Sequence, residues 1–168
     1  MNIFKKISSL NYKKDILPLQ MLKEPDKILI LFPIDHYRSD LIVPAITTLK
    51  NKFSSSDIIG ITSEDHSLSI RNSRLFNEVI CYDTVPKLFS RRFFKLRTEI
   101  RNLQADISID LNLENDLLTW ISGAGLRIGC ILSPFINYRI KLKEIENKEK
   151  ISSEEVANKI IKILCTSR

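Results

Sequence analysis

Glycine is scarce in this chain, four in 168 residues, too few for a binding protein built from many tight turns. No apolar run exceeds five or six residues, whereas a membrane-spanning helix needs about 20. The opening stretch, MNIFKKISSLNYKK, has neither an apolar centre of about 7–15 residues nor a small-residue cleavage site, which argues against a secretory signal. The expectation is therefore a cytoplasmic chain. Only three cysteines occur, Cys81, Cys130 and Cys165. They are widely spaced and odd in number, and no CxxC or Cys/His cluster accompanies them. A disulfide framework and a metal site are both unexpected, and no cofactor is implied. There is no internal repeat and no low-complexity segment.

What is present describes an ordinary globular chain, 43% hydrophobic and 27% charged, long enough to bury one core. The net charge of +6 favours a polyanionic partner such as nucleic acid, phospholipid or phosphorylated glycolipid. Residues 1–26 form an N-terminal arm. Ile3, Phe4, Ile7 and Leu10 fall there at helical spacing beside Lys5 and Lys6, a pattern shared by membrane-surface helices and by arms packed on a domain. Pro18 and Pro25 end the arm, and the domain proper spans 27–142.

Within it, apolar runs alternate with helical patterns. Strands are expected at Lys27–Phe32, Asp57–Thr62, Glu78–Tyr82, Asp106–Leu111 and Leu126–Leu132, with a further short edge strand within Phe135–Leu142. Between them, a helix carries the stripe Leu41, Ile42, Ala45, Ile46 and Leu49. Pro44 either begins its regular part or bends it. A short helix lies within Ser63–Asn77, an amphipathic one over Lys87–Leu103, and another runs through Leu117, Leu118 and Ile121. After a charged linker, Lys143–Lys150, Ser152 and Glu155 make a capping box for a last helix buried through Val156, Ile160, Ile163 and Leu164. Residues 143–168 are expected to pack on the same domain. The fold class is α/β: a single three-layer Rossmann-like domain with a mainly parallel sheet of about five strands.

Four segments, in order, carry a resemblance to a known family. KILILF (Lys27–Phe32) and PAITTLK (Pro44–Lys50) match a KILIIR-type strand followed by T-T-P-x-L-x-A-L-K. FNEVICYD (Phe76–Asp83) matches V-D-E-V-I-x-[FY]-D. ADISIDLNL (Ala105–Leu113) matches Y-D-x-x-I-D-L-Q-G, and SGAGLRIG (Ser122–Gly129) matches S-G-A-x-x-R-I-G. The chain thus resembles the amino-terminal half of the heptosyltransferase-type glycosyltransferases of lipopolysaccharide synthesis, over roughly residues 27–135. The resemblance implies a sugar-transfer domain at the inner face of a membrane, working with a donor-binding domain on another chain. It also shows a departure. In an ungapped register the family's Gly-Asp in the first turn falls on Tyr37-Arg38. Where that aspartate resembles a general base, arginine stays protonated and cannot take a proton. The alternative is a non-catalytic binding or scaffold domain of the same fold.

Candidate residues follow from both readings. Asp35 and Asp40 are the carboxylates of the first turn and the only stand-ins for a base. A cap or helix-dipole role for Ser39 or Asp40 competes with that assignment and is worth about 0.3–1 kcal/mol. His36 and His66 are solvated loop histidines unless a partner appears. Asp110 and Asn112, at the end of the fourth strand, are placed to hydrogen-bond a sugar, although Asp110 also suits a helix cap. Glu114 and Asp116 make an acidic rim without a metal-ligand partner. The segment Lys87–Arg101 carries six basic residues against Glu99 alone. Arg91, Arg92, Lys95 and Arg97, with Arg38 in the turn, are the candidates for holding a phosphorylated glycolipid or an anionic membrane surface, since guanidinium forks match phosphate. An amphipathic helix with an ordinary basic face is the plainer reading. Helix-turn-helix, RNP and zinc patterns are missing, so nucleic acid is not an expected partner.

Overall fold

The chain is seen in a computed structural model that describes residues 25–34, 37–113, 115–147 and 149–166. Its strands are β1 (Lys27–Leu31), β2 (Asp57–Ser63), β3 (Glu78–Tyr82), β4 (Ile107–Asp110), β5 (Leu126–Gly129) and β6 (Tyr138–Arg139). They form one sheet, parallel throughout, in the order β3-β2-β1-β4-β5-β6. The helices are α1 (Ser39–Lys52), α2 (Glu64–Asn72), α3 (Arg91–Asn102), α4 (Leu117–Ser122), α5 (Lys143–Glu146) and α6 (Ser153–Thr166).

β1 is central because its side chains are apolar on both faces, and Ile28 to Phe32 are completely buried. Ile28, Ile30 and Phe32 point to the layer of α1, α2 and α6, where they meet Ile42, Ile46, Ile70 and Ile160. Leu29 and Leu31 point to the opposite layer, against Phe93, Ile100, Leu118 and Ile121 of α3 and α4. A parallel sheet whose strands cross over through helices is covered on both faces, which is why these runs do not alternate with polar residues. The architecture is therefore α/β, with three layers, as expected from the sequence.

Side chains also pin the sheet at its ends. At the amino ends, the Asp106 carboxylate accepts from the backbone N–H groups of Asp26 and Lys27 at 2.9 and 3.1 Å. At the edge, Asn137 takes the Arg127 N–H at 2.7 Å and donates to the Gly125 carbonyl at 2.8 Å. Backbone bonds from Asn137 N to the Arg127 carbonyl at 3.1 Å and from Ile140 N to the Gly129 carbonyl at 2.8 Å pair the two-residue β6 with β5, so the short edge strand expected within Phe135–Leu142 is present and brings the sheet to six strands. β5 stops at Gly129, three residues short of its expected end. There Ile136 crosses so closely that a β-carbon on Gly129 would lie 2.5 Å from its terminal methyl carbon.

Other boundaries moved for local reasons. α3 begins at Arg91 rather than Lys87, because Phe89 has φ 62° and breaks the helical path. Ser90 then caps the helix, its hydroxyl accepting from Phe93 N at 3.1 Å. The linker is not wholly irregular, since Lys143–Glu146 makes one helical turn. α1 begins five residues before Pro44, so that proline lies inside the helix and leaves the Asp40 carbonyl without its i+4 donor. Leu41 is exposed rather than part of the α1 stripe. On α6 the buried stripe includes Ala157 and Ile161, while Ile163 is half-buried. The capping box of α6 is present: Ser152 N donates to Glu155 Oε2, and Glu155 N donates to Ser152 Oγ, both at 3.2 Å.

Candidate functional site

The strand order reverses between β1 and β4, which run outward from the middle of the sheet to opposite edges. In open parallel sheets the crevice beyond the carboxyl ends at such a switch point is where ligands bind. Here the Asn112 side chain bridges it. Its oxygen accepts from Ile34 N at 2.8 Å, and its nitrogen donates to the Phe32 carbonyl at 3.2 Å and to Asp110 Oδ1 at 2.7 Å. Asp110 Oδ1 also accepts from Asn112 N at 2.9 Å, and Asp110 Oδ2 accepts from the Thr119 hydroxyl. The two sugar-binding candidates are thus both buried and bonded to each other, and they tie the β1–α1 turn to β4 and α4. Asp110 does not cap α4 through the backbone; it grips the helix through a side chain.

Burial pushes the Asp110 carboxyl up to about 6, against the pull of its bonds from Thr119 and Asn112. The same burial, with the Asp110 charge nearby, pushes the Cys130 thiol up to about 12. Between pH of about 4 and 6 the folded chain holds a proton on Asp110 that the unfolded chain has released. Stability linked to this group therefore falls as pH rises through that window. Relative to Asp110→Asn, the wild-type chain should gain up to about 3 kcal/mol on going from pH 7 to pH 4. Urea midpoints of the two proteins across that range measure this, and a constant difference would refute it.

Tyr37 does not stand in the turn as bulk facing a ligand. It is 2% exposed, its ring stacks on Phe32 at 5.6 Å and lies 4.2 Å from the His66 ring. Its hydroxyl is 2.9 Å from the buried Thr62 hydroxyl, and burial raises its pKa to about 12. His66 is accordingly a packed residue rather than a solvated one. Asp35, His36 and Glu114 lie outside the described residues.

Arg38, not Ser39 or Asp40, is the N-cap of α1, and no side chain caps it. The Arg38 guanidinium grips Asp40 with both arms, at 2.7 and 3.3 Å. That bond holds the Asp40 carboxyl below its ordinary range and raises the Arg38 guanidinium. Arg38 N donates to Glu154 Oε1 at 2.7 Å, so the first turn of α6 anchors this corner.

Beyond β3 and β4 the carboxyl ends of the strands do open. A cleft of about 410 Å³ is lined by Val85, Leu88, Asn115, Asp116, Trp120 and Phe135. Next to it, and sharing Pro86, a cleft of about 240 Å³ lies between the end of β3 and α3, lined by Asp83, Thr84, Arg92, Lys95 and Glu99. The basic candidates divide between surfaces. Arg92 and Lys95 border the smaller cleft, with Arg92 contacting Asp83 at 3.4 Å. Arg91 is on the outer surface of α3. Arg97 turns to the other flank, close enough to Arg101 that its charge, after burial, lowers the Arg101 pKa. Arg38 belongs to the corner of α1 and α6 and joins none of these. Trp120 and Phe135, with rings 5.5 Å apart, were not among the sequence candidates. Their only signal was a lone tryptophan before SGAG and a phenylalanine after Pro134. Among the described residues, no group of histidine, cysteine and carboxylate side chains could hold a metal, and no helix is long and apolar enough to cross a membrane.

No family model and no curated protein matches the chain by sequence. Solved structures do. A glycosyl transferase family 9 protein from Veillonella parvula superposes with a TM-score of 0.64 at 16% identity, over 84% of this chain and 42% of that one. What they share is the fold. ADP-heptose LPS heptosyltransferase II of E. coli agrees, with a TM-score of 0.58 at 15% identity over 80% of this chain and 40% of its own. The chain therefore has a glycosyltransferase-like, Rossmann-type fold similar to that of heptosyltransferases, and spans about two fifths of the structures it matches.

Proposed function

We propose that this chain is the acceptor-side domain of a heptosyltransferase-like system of cell-envelope glycan assembly, at the cytoplasmic face of a membrane. In this reading it recognises a phosphorylated glycolipid. A donor-binding domain meets it across the carboxyl ends of the sheet. The observation that carries the reading is the juxtaposition of the two clefts: aromatic walls at Trp120 and Phe135 suit a sugar face, and Arg92 and Lys95 alongside suit its phosphate. Recognition rather than chemistry is favoured because the Asp40 carboxylate is held by Arg38 with its pKa lowered, which makes it a poor proton acceptor.

The test uses a deacylated, phosphorylated core oligosaccharide titrated into the full chain by calorimetry. Binding should be measurable, and Arg92→Glu with Lys95→Glu should weaken it at least about tenfold, the loss expected when charge-assisted bonds to phosphate are reversed. Equal binding by wild type and variant would remove the reading. A second reading, a transferase half using Asp40 as base, draws on the exposure of that carboxylate at the carboxyl end of β1. Under it, Asp40→Ala abolishes sugar transfer once the donor domain is supplied. Under the first reading, Asp40→Ala leaves oligosaccharide binding unchanged.

A further inference from the structure

Three large apolar side chains at the entry to α3 face solvent. Leu88, Phe89 and Phe94 are 46%, 60% and 46% exposed, and the Phe89 and Phe94 rings lie 6.5 Å apart. Phe89 has φ 62°, a left-handed conformation that a bulky side chain rarely adopts and that marks a locally strained turn. That turn carries the Phe89 ring outward while Phe93, four residues on, is fully buried. Along the helix, Arg91 and Arg97 stand three residues to either side of Phe94, the spacing that places side chains on one face. Lys95 is exposed beside it. Among the described residues, no carboxylate pairs with Arg91, Lys95 or Arg97.

An apolar tip ringed by cations with no acid among them is complementary to one kind of partner: a surface with an apolar interior and an anionic skin. We infer that Leu88, Phe89 and Phe94 insert into the acyl boundary of an anionic lipid bilayer while Arg91, Lys95 and Arg97 hold its headgroups. A protein partner is the weaker fit, because the cores of protein interfaces are depleted in lysine and the exposed rings form a small tip, not a broad patch. The position has a consequence for the larger cleft. Leu88 lines that cleft as well, and Phe93 links the tip to Trp120, its ring 5.5 Å from the indole. Insertion sets the cleft mouth at the level of the headgroups. This surface stands on residues other than those that carry the glycolipid reading, apart from Lys95, and does not depend on it.

The experiment uses the full chain and vesicles of phosphatidylcholine with or without phosphatidylglycerol, free of glycolipid. Wild type should sediment with the anionic vesicles and release at high salt. The F89S/F94S double variant should bind at least about tenfold more weakly, the order expected for losing two inserted rings, with an unchanged thermal melt. In F89W, acyl-brominated lipid should quench emission beyond that of wild type, whose one tryptophan is Trp120. Wild-type binding by F89S/F94S, absence of extra quenching in F89W, or failure of the wild-type chain to bind anionic vesicles would each overturn the inference. Oligosaccharide binding by F89S/F94S reports on the glycolipid reading separately.

Discussion

Replacing Tyr37 with glycine should destabilise the domain by about 4–6 kcal/mol, enough to unfold a protein of ordinary stability near room temperature. Two losses combine. The ring is a core element between Phe32 and His66, so its removal leaves a cavity of aromatic size. The Thr62 hydroxyl, which has no exposure, also loses its partner across 2.9 Å. Tyr37→Phe separates them: it keeps the ring and should cost only about 1–2 kcal/mol. This matters for the Gly-Asp that the heptosyltransferase-type pattern has at this turn. Installing it here as Tyr37→Gly with Arg38→Asp should yield a poorly folded chain and not a working base, since the same edit also removes the cation bound to Asp40. Thermal melts decide the matter, at roughly 2–4 °C per kcal/mol for a chain of this size. A Tyr37→Gly protein melting within a few degrees of wild type would show that the ring is not part of the core.

The second large effect is expected at Asn112. Asn112→Ala strips three hydrogen bonds from the switch point: those to Ile34 N, to the Phe32 carbonyl and to Asp110. It leaves a fully buried carboxyl with less support, and the cost should be about 3–5 kcal/mol. Because Asp110 is destabilised further in its charged form, the penalty should be greater at pH 7.5 than at pH 5, where the carboxyl is mostly protonated. Urea unfolding at the two pH values measures both magnitude and sign. An equal penalty at both would mean that Asn112 supports the backbone turn but not the carboxylate. Asn112→Asp should be worse at neutral pH, since it sets a second carboxyl beside the first, and should improve on acidification.

The helices and strands were legible because their patterns are local. Runs such as Lys27–Phe32 and Glu78–Tyr82 are short, apolar and bounded by turn residues, which reads as strand, and the Ser152–Glu155 capping box is a four-residue device that works wherever a helix starts. Phe89 shows where such reading stops. Its spacing fits the helical stripe, but a single left-handed residue ends the helix on its amino side and nothing in the residue type announces that. The basic helix was equally visible as charge. Its division into a cleft-facing pair, Arg92 and Lys95, and an opposite flank, Arg97 with Arg101, follows from which side of α3 the core occupies.

For the site the difference is sharper. Sequence alone determined the α/β alternation, the position of the first turn and the presence of Tyr37 and Arg38 in it, because each depends on neighbours in the chain. Only the tertiary structure decided that Tyr37 is packed, that Asn112 is spent on Ile34 and Phe32, that Thr119 closes over Asp110, and that Trp120 and Phe135 wall a cleft. Those outcomes turn on contacts between residues as far as 80 positions apart, such as Asn112 with Phe32. A polar side chain is available for a ligand or used up by the fold according to what lies opposite it, and the chain brings those partners together only by folding.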